Sequence, residues 1–529
     1  MTIKKFQTIL IIFLLAFYTI LITQKINLVT ADLGRHLKNG EMILSGKFTT
    51  LIANYYSYTF PEYSFINHHW GSGVLFYLIQ RIFGFDGLSV FFTLISLTIF
   101  FIFFLVAWKS SSFNVALLTS IIAMPILVSR TEIRPETFSY LFSGIFLWIL
   151  SFKRKKLWLL PILEILWVNL HIYFFLGLFL IGIFCISELF TFLVKRNKEN
   201  LKEIKNLILV GWASVLAALI NPTFIKGALY PLQIFKGYGY RLFENQSVLF
   251  LDKIVRYPQN LYFKIAFGVL IISWVYTFFK KQKVSITNLI FSFFFSYLGW
   301  TAVRNFSLFG LFFIPIAAEN FRGAFGSEVY PEGSPQEGVG VYPESSSRGE
   351  NKKIWRLFVT AFLTIVLLFG IFLLNPIYWQ GKISLGVGLK KGNEIAANFF
   401  KKNNLSGPIF NNYDNGGYLI YYLFPKEKVF VDNRPEAYPL DFFGQVYIPM
   451  QENDNKWQEI DKKYHFNVIF FHRNDLTPWG QTFLINRIKD ASWAPVYVDE
   501  SQIIFLKRNK ENEEVIKKFE LPKEMFSVK

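Results

Sequence analysis

Asp32, Arg35, His36, Glu41, His68 and His69 crowd a polar stretch between strongly apolar segments, in a chain with 6 histidines in all. Titratable groups gathered beside a first apolar span point to chemistry or ligand capture there. Asp32 is a possible base, although it also stands where an acid would cap a helix starting near Leu33. His68 and His69 are adjacent, so their side chains need not converge, and a metal site would lack its third ligand. A hydrogen-bonding role is the better reading of the pair. Further along come Arg130, Glu132, Arg134 and Glu136, then Trp167-Val168-Asn169-Leu170-His171, Asn221-Pro222, and Arg304. Guanidinium groups of this kind either pair with neighbouring carboxylates or hold an anionic ligand. Asn169 and His171 can also close a helical hairpin, and Arg304 can snorkel at an interface.

The elements that must position these groups are mostly apolar helices. The chain has 529 residues, is 53% hydrophobic and contains 62 phenylalanines. Its long apolar runs define a polytopic α-helical membrane domain of about eleven spans, at roughly 20 residues per span. They fall near 6–22, 87–107, 112–128, 137–152, 157–170, 172–194, 206–221, 261–279, 285–303, 305–320 and 354–375. The first is read as an uncleaved span, not a signal peptide, because it is long and more spans follow. Lys4-Lys5, Lys109, Lys153–Lys156, Lys195–Lys205, Lys280–Lys283 and Arg322 with Lys352-Lys353 fall on one side. The positive-inside rule makes that side cytoplasmic, with the N-terminus inside and the chain after Pro376 outside. Asp32, His36, His68, His69, Arg130, Glu132, Arg134, Asn169, His171 and Arg304 then share the outer face. Structural accidents would scatter over both faces, so this grouping favours a site.

Within the outer loop 24–86, the segment 71–83 reads as a helix lying on the membrane surface. The insert 322–352 repeats Val-Tyr-Pro-Glu and is low-complexity sequence that cannot build a core. Residues 377–529 change character. Helix-like 393–402 is followed by strand-like 407–410, 416–424, 428–432, 467–471, 494–498 and 502–506, the pattern of a small α/β domain with a partly parallel sheet. Gly416-Gly417 fits a phosphate cradle only weakly, and a positive-φ turn accounts for it equally well. Asp432 and Arg434 end an expected strand, which suits acceptor binding or docking onto the membrane domain. Cys185 is the single cysteine, which excludes an intrachain disulfide and a cysteine-based metal site. The net charge of +18 flanks the spans, which suits membrane lipid and argues against nucleic acid.

One span, an outer loop with an early Asp, a His motif, an interfacial helix and Gly84-Phe85-Asp86-Gly87 resemble the GT-C superfamily of polytopic glycosyltransferases. Protein O-mannosyltransferases and aminoarabinose transferases belong to it. His68-His69-Trp70 resembles their His-Pro-Pro stretch without the prolines, and Arg130-Thr131-Glu132 resembles their second-loop pattern. The motifs Asp32–Gly40, Arg134-Pro135-Glu136, Trp167–His171, Asn221-Pro222 and Gly416–Leu419 with Val429–Arg434 are similar to those of a group of bacterial membrane proteins in that superfamily.

The resemblance implies sugar transfer from a polyprenyl-phosphate-linked donor at the outer face of the cytoplasmic membrane, to a protein or glycan acceptor. It implies Asp32 as the general base. Arg130, Arg134 and Arg304 would hold the donor phosphate, with His36, His68, His69, Glu132, Asn169 and His171 completing the substrate site. The first loop has no Asp-x-Asp or Asp-Glu pair, so the residues support no cofactor, although a divalent metal is compatible with the chemistry. Two other classes fit the composition: a transporter or flippase of a lipid-linked glycan, for which Glu164 is the intramembrane carboxylate, and a non-catalytic envelope assembly protein.

Overall fold

The computed structural model describes residues 3–29, 32–196, 198–233, 237, 239–324, 355, 359–370 and 384–526. Its helical part runs α1 (Ile3–Ile22), α2 (Leu33–Leu44), α3 (Trp70–Ser110), α4 (Phe113–Leu127), α5 (Glu136–Phe152), α6 (Leu159–Leu170), α7 (Phe175–Lys195) and α8 (Lys198–Ala218). It continues with α9 (Ile225–Ala228), α10 (Val248–Ile254), α11 (Pro258–Phe279), α12 (Ile286–Thr301) and α13 (Phe306–Asn320). Every apolar stretch before residue 321 lies on a helix. Ile3–Ile22, Trp70–Ser110, Ile172–Lys195 and Pro258–Phe279 are long and apolar enough to cross a membrane, and the chain is a membrane protein. α4, α5 and α6 are shorter apolar helices. The last expected span falls partly outside the described residues, as does nearly all of the 322–352 insert.

α3 breaks at Gly84, whose φ of 67° and ψ of −170° suit a residue without Cβ. The break separates Trp70–Phe83, where the surface helix was expected, from the apolar arm that follows. α2 is polar in sequence yet buried from Leu33 to Gly40. Glycines make this possible. A Cβ on Gly34 would lie 2.7 Å from the Gly417 carbonyl oxygen, and one on Gly40 would lie 2.2 Å from that of Gly73. The backbones therefore touch, and α2 is clamped between α3 and the C-terminal segment.

That segment carries a four-stranded sheet in the order β1-β2-β4-β3: β1 (Ile409–Phe410), β2 (Val468–His472), β3 (Trp493–Val498) and β4 (Gln502–Lys507). β1 runs parallel to β2, and the other pairs are antiparallel, so the sheet is partly parallel. Two expected strands are corrected. Gly416–Leu423 is a helix, because its continuous apolar run satisfies either period and its glycines allow helix contact with α2. Gly416 has φ −57°, so a positive-φ turn does not explain it; a Cβ there would lie 2.4 Å from the Asp432 Cα. Residues 428–432 form no sheet strand; they make one isolated bridge, Val429 to Ser57.

Candidate active site

Asp32 stands at the N-cap position of α2, but its side chain caps nothing. Oδ2 takes a long contact of 3.4 Å from Arg35 Nη2 and lies 3.5 Å from His36 Nε2, while Arg134 Nε is 4.0 Å from Oδ1. Oδ1 has no hydrogen-bond partner among the described residues. Burial pushes this carboxyl upward, but Arg134, His36 and Arg35 outweigh it and hold its pKa well below the usual carboxylate range. Asp32 is therefore an ionised carboxylate with one oxygen steadied and one without a hydrogen-bond partner among the described residues. Arg35 is anchored in turn by Nε donating to Asn433 Oδ1 at 3.0 Å. His36 is completely buried behind Asp32, and burial together with Arg35 pushes its pKa down to about 4.

The stretch between α4 and α5 supplies the arginines. Arg130 Nη1 donates to Glu244 Oε2 at 2.8 Å, and its Nε lies 3.0 Å from Glu136 Oε1. Arg134 donates to Glu132 at 2.5 Å and to Glu244 Oε2 at 3.2 Å. Arg304, on the turn between α12 and α13, donates to Asn245 Oδ1 at 3.0 Å and lies 3.8 Å from Glu244 Oε1, its guanidinium over the Tyr173 ring. Of the two readings of the arginines, the ion pairs are what the structure shows: Arg130, Arg134 and Arg304 are all paired with carboxylates, and Glu244 joins the three. Burial alone would raise the Glu244 carboxyl, yet Arg130, Arg134 and Arg304 hold it far below the usual range. Four guanidinium groups face four carboxylates here: Arg35, Arg130, Arg134 and Arg304 against Asp32, Glu132, Glu136 and Glu244. Glu244 sits among the arginines and is the carboxylate that ties Arg130, Arg134 and Arg304 together.

The histidines form a file behind this centre. His69 stacks on His171 with centroids 4.9 Å apart, touches His68 at 4.0 Å and meets His36 edge-on at 5.5 Å. Ser139 Oγ accepts from Trp167 Nε1 at 2.7 Å and shares a hydrogen bond with His171 Nδ1, 2.6 Å away. Burial pushes His68 down to about 3, so His36 and His68 are both neutral near pH 7. Among the described residues, no three His, Cys, Asp or Glu side chains converge as a metal-ligand group.

These groups enclose a cavity of about 120 Å3 lined by Asp32, His68, His69, Arg134, His171 and Arg304 from the sequence reading. It is completed by Arg35, Glu136, Tyr173, Leu242, Glu244, Asn433 and Glu436, among others. His36, Arg130 and Glu132 stand one layer back. Asn169 is not a cavity residue. Its amide accepts from Trp70 Nε1 and donates to Ile165 O and Ile220 O, tying α3, α6 and the end of α8 together. Among the described residues, the Asn221 side chain bonds within its own turn. Asp432 and Arg434 are fully buried against each other and cannot touch a ligand, whereas Asn433 between them lines the cavity. Glu244 is the main omission from the sequence reading; its signal was a long polar connection on the expected outer side, between α8 and α11.

Beneath Arg130 and Glu136 a small groove continues between α1, α3, α4 and α13, walled by Tyr18, Phe92, Ile99, Leu127 and Leu311. Glu136 lines both this groove and the main cavity.

No family model and no curated protein matches the sequence. Solved structures match in fold. The Archaeoglobus fulgidus oligosaccharyltransferase in its apo form superposes with a TM-score of 0.60 at 10% identity, over 95% of this chain and 74% of that one. Archaeal oligosaccharyltransferase AglB from the same organism, in complex with an inhibitory peptide and a dolichol-phosphate, gives 0.57 at 10% identity over 93% and 73%. ArnT from Cupriavidus metallidurans bound to undecaprenyl phosphate gives 0.50 at 12% identity over 96% and 99%. Both neighbours are GT-C glycosyltransferases, and this chain has their fold.

Proposed function

We propose that the chain is a membrane glycosyltransferase moving a sugar from a polyprenyl-phosphate donor to an acceptor hydroxyl at the outer face of the cytoplasmic membrane. The observation that carries this reading is the cavity itself. An ionised Asp32 with a free Oδ1 and two guanidinium groups, Arg134 and Arg304, line one small space above an apolar groove. Fold neighbours solved with dolichol-phosphate or undecaprenyl phosphate support a lipid-linked donor.

The transfer balances on these groups. Asp32 Oδ1 takes the acceptor's hydroxyl proton, and the acceptor oxygen bonds to the anomeric carbon. The bond from that carbon to the phosphate oxygen breaks, and its electron pair leaves with polyprenyl phosphate. Arg134 and Arg304 stabilise the charge that develops there, because guanidinium donors stay ionised and point two hydrogens at one anion. Neutral His69 and His171 orient the hydroxyl groups of the substrates.

Two tests follow from this arrangement. Arg134→Ala and Arg304→Ala should each weaken undecaprenyl phosphate binding about 10-fold or more, since a hydrogen bond to a charged group contributes about 1.5–3 kcal/mol. Unchanged affinity in folded protein would make both arginines structural ion-pair residues. The second test is pH. With Asp32 depressed and already ionised, transfer should stay level as pH falls from about 8 to about 5.5. A fall inside that window would mean that the titrating base is not this depressed carboxylate.

Glu164, the carboxylate of the transporter reading, is fully buried beside Gly177. Both its oxygens lack partners among the described residues.

A further inference from the structure

The Asn221-Pro222 motif does not line the site cavity, yet its local geometry is specific. Asn221 Nδ2 donates to Ala218 O and to Phe224 O, both at 2.9 Å, and Oδ1 accepts from Thr223 N at 3.0 Å. The side chain thus builds the corner at which the chain leaves α8. Asn169 Nδ2 fixes that corner to α6 by donating to Ile220 O at 2.8 Å. Phe224 follows with φ 51° and ψ −121°, a left-handed backbone that bulky residues rarely adopt. It is held there on a phenylalanine that is 56% exposed.

From the corner the chain runs along α9 and the 3-10 turn Tyr230–Gln233. Ile225, Leu229 and Leu232 recur four and three residues apart, the spacing of one helical face, and all three are exposed. The other side faces the protein. Pro231 is buried, and the Tyr230 ring centroid lies 4.9 Å from that of His68, which lines the site cavity. A single exposed leucine is ordinary, as Leu476 in the C-terminal segment is at 93%. Here Ile220, Phe224, Ile225, Leu229 and Leu232 are each more than half exposed along one short stretch. Lys226 is the one charged residue of 220–233, and no carboxylate accompanies it.

The stripe continues the apolar side of α8. There Leu209, Trp212 and Leu216 are exposed at the same spacing, while the helix packs on α6 and α7. Such a run, leaving the end of an apolar helix in a membrane protein, suits a lipid surface: apolar side chains enter the leaflet and a lysine meets its phosphates. We propose that residues 220–233 are an interfacial anchor seated in the leaflet beside the site cavity. Its partner is the bilayer itself. Because Tyr230 rests on His68, the anchor fixes the height at which the cavity stands relative to the lipid.

The test is spin labelling of the full-length protein in vesicles of phosphatidylcholine and phosphatidylglycerol. Cys185 is the single cysteine, so Cys185→Ser supplies the background. Labels are placed one at a time by Leu216→Cys, Leu229→Cys, Leu232→Cys and Leu476→Cys. Contact with oxygen, which concentrates in lipid, is compared with contact with a water-soluble nickel chelate. The oxygen-to-nickel ratio at Leu229 and Leu232 should exceed that at Leu476 about threefold or more, as for an apolar face sunk about 5–10 Å into the leaflet. At Leu216 it should be higher again. Nickel preference at Leu229 and Leu232 would place the stripe in water, and little contact with either reagent would mean that a protein surface or a second copy covers it. Either result overturns the proposal, as does a ratio at Leu216 no higher than at Leu476. The readout is position in the bilayer, so it stands apart from sugar transfer and from the fate of Asp32 as base.

Discussion

Asp32→Asn should lower sugar transfer about 100- to 10,000-fold, the range lost when a general base is removed, while leaving the donor bound. The substitution keeps the shape of the side chain and lets an amide oxygen still accept from Arg35 Nη2, which lies 3.4 Å from Oδ2. What it removes is the charge on a carboxylate that lines the cavity, one of whose oxygens, Oδ1, has no hydrogen-bond partner among the described residues. That negative charge lies 4.0 Å from Arg134. Donor phosphate should therefore bind as tightly as before or more tightly, because Arg134 has one competing carboxylate fewer. A split of this kind, with turnover lost and donor affinity kept, separates a base from a residue that merely holds the loop. Full transfer by a well-folded Asp32→Asn protein would end the assignment.

The largest effect on stability belongs to Arg434→Ala. Arg434 is 1% exposed and Asp432 is 0% exposed. Nε donates to Oδ1 at 2.7 Å, Nη2 to Oδ2 at 2.6 Å, and Nη2 also to Asn54 Oδ1 at 2.8 Å. The guanidinium lies 4.8 Å from the Phe65 ring centroid and 5.5 Å from that of Tyr56. Removing it strands a buried carboxylate, which costs about 3–5 kcal/mol. It also cuts the tie between the segment after β1 and the loop that carries His68 and His69. Thermal melting in detergent should show a large loss. Asp432→Asn combined with Arg434→Met should recover much of it, because no charge is then left buried. A single Arg434→Ala variant that melts with the parent protein would contradict the account.

These two sites show what could be read from sequence and what could not. Asp32 and the arginines were legible because charge at the end of an apolar stretch is costly and so conspicuous. The partnership of Arg130, Arg134 and Arg304 with Glu244 was not, since Glu244 belongs to no motif and lies more than a hundred residues from Arg130 and Arg134. Only the fold brings the two loops together. Asn169 misled for a related reason. An amide beside a histidine looks like a ligand group until Trp70, Ile165 and Ile220 are seen to occupy it. Gly416-Gly417 misled through period, because an unbroken apolar run fits strand and helix alike. Its meaning lay in α2, whose Gly34 needs a bare backbone opposite. The β strands beyond residue 467 were legible because β-branched and aromatic residues recur there in short blocks between polar turns.

The most direct measurement is a structure of the protein with undecaprenyl phosphate bound. The phosphate is expected in the cavity beside Asp32, within hydrogen-bond distance of Arg134 and Arg304, with the Glu244 carboxylate displaced from at least one of them. A phosphate bound elsewhere, with Glu244 still joining Arg130, Arg134 and Arg304, would contradict it.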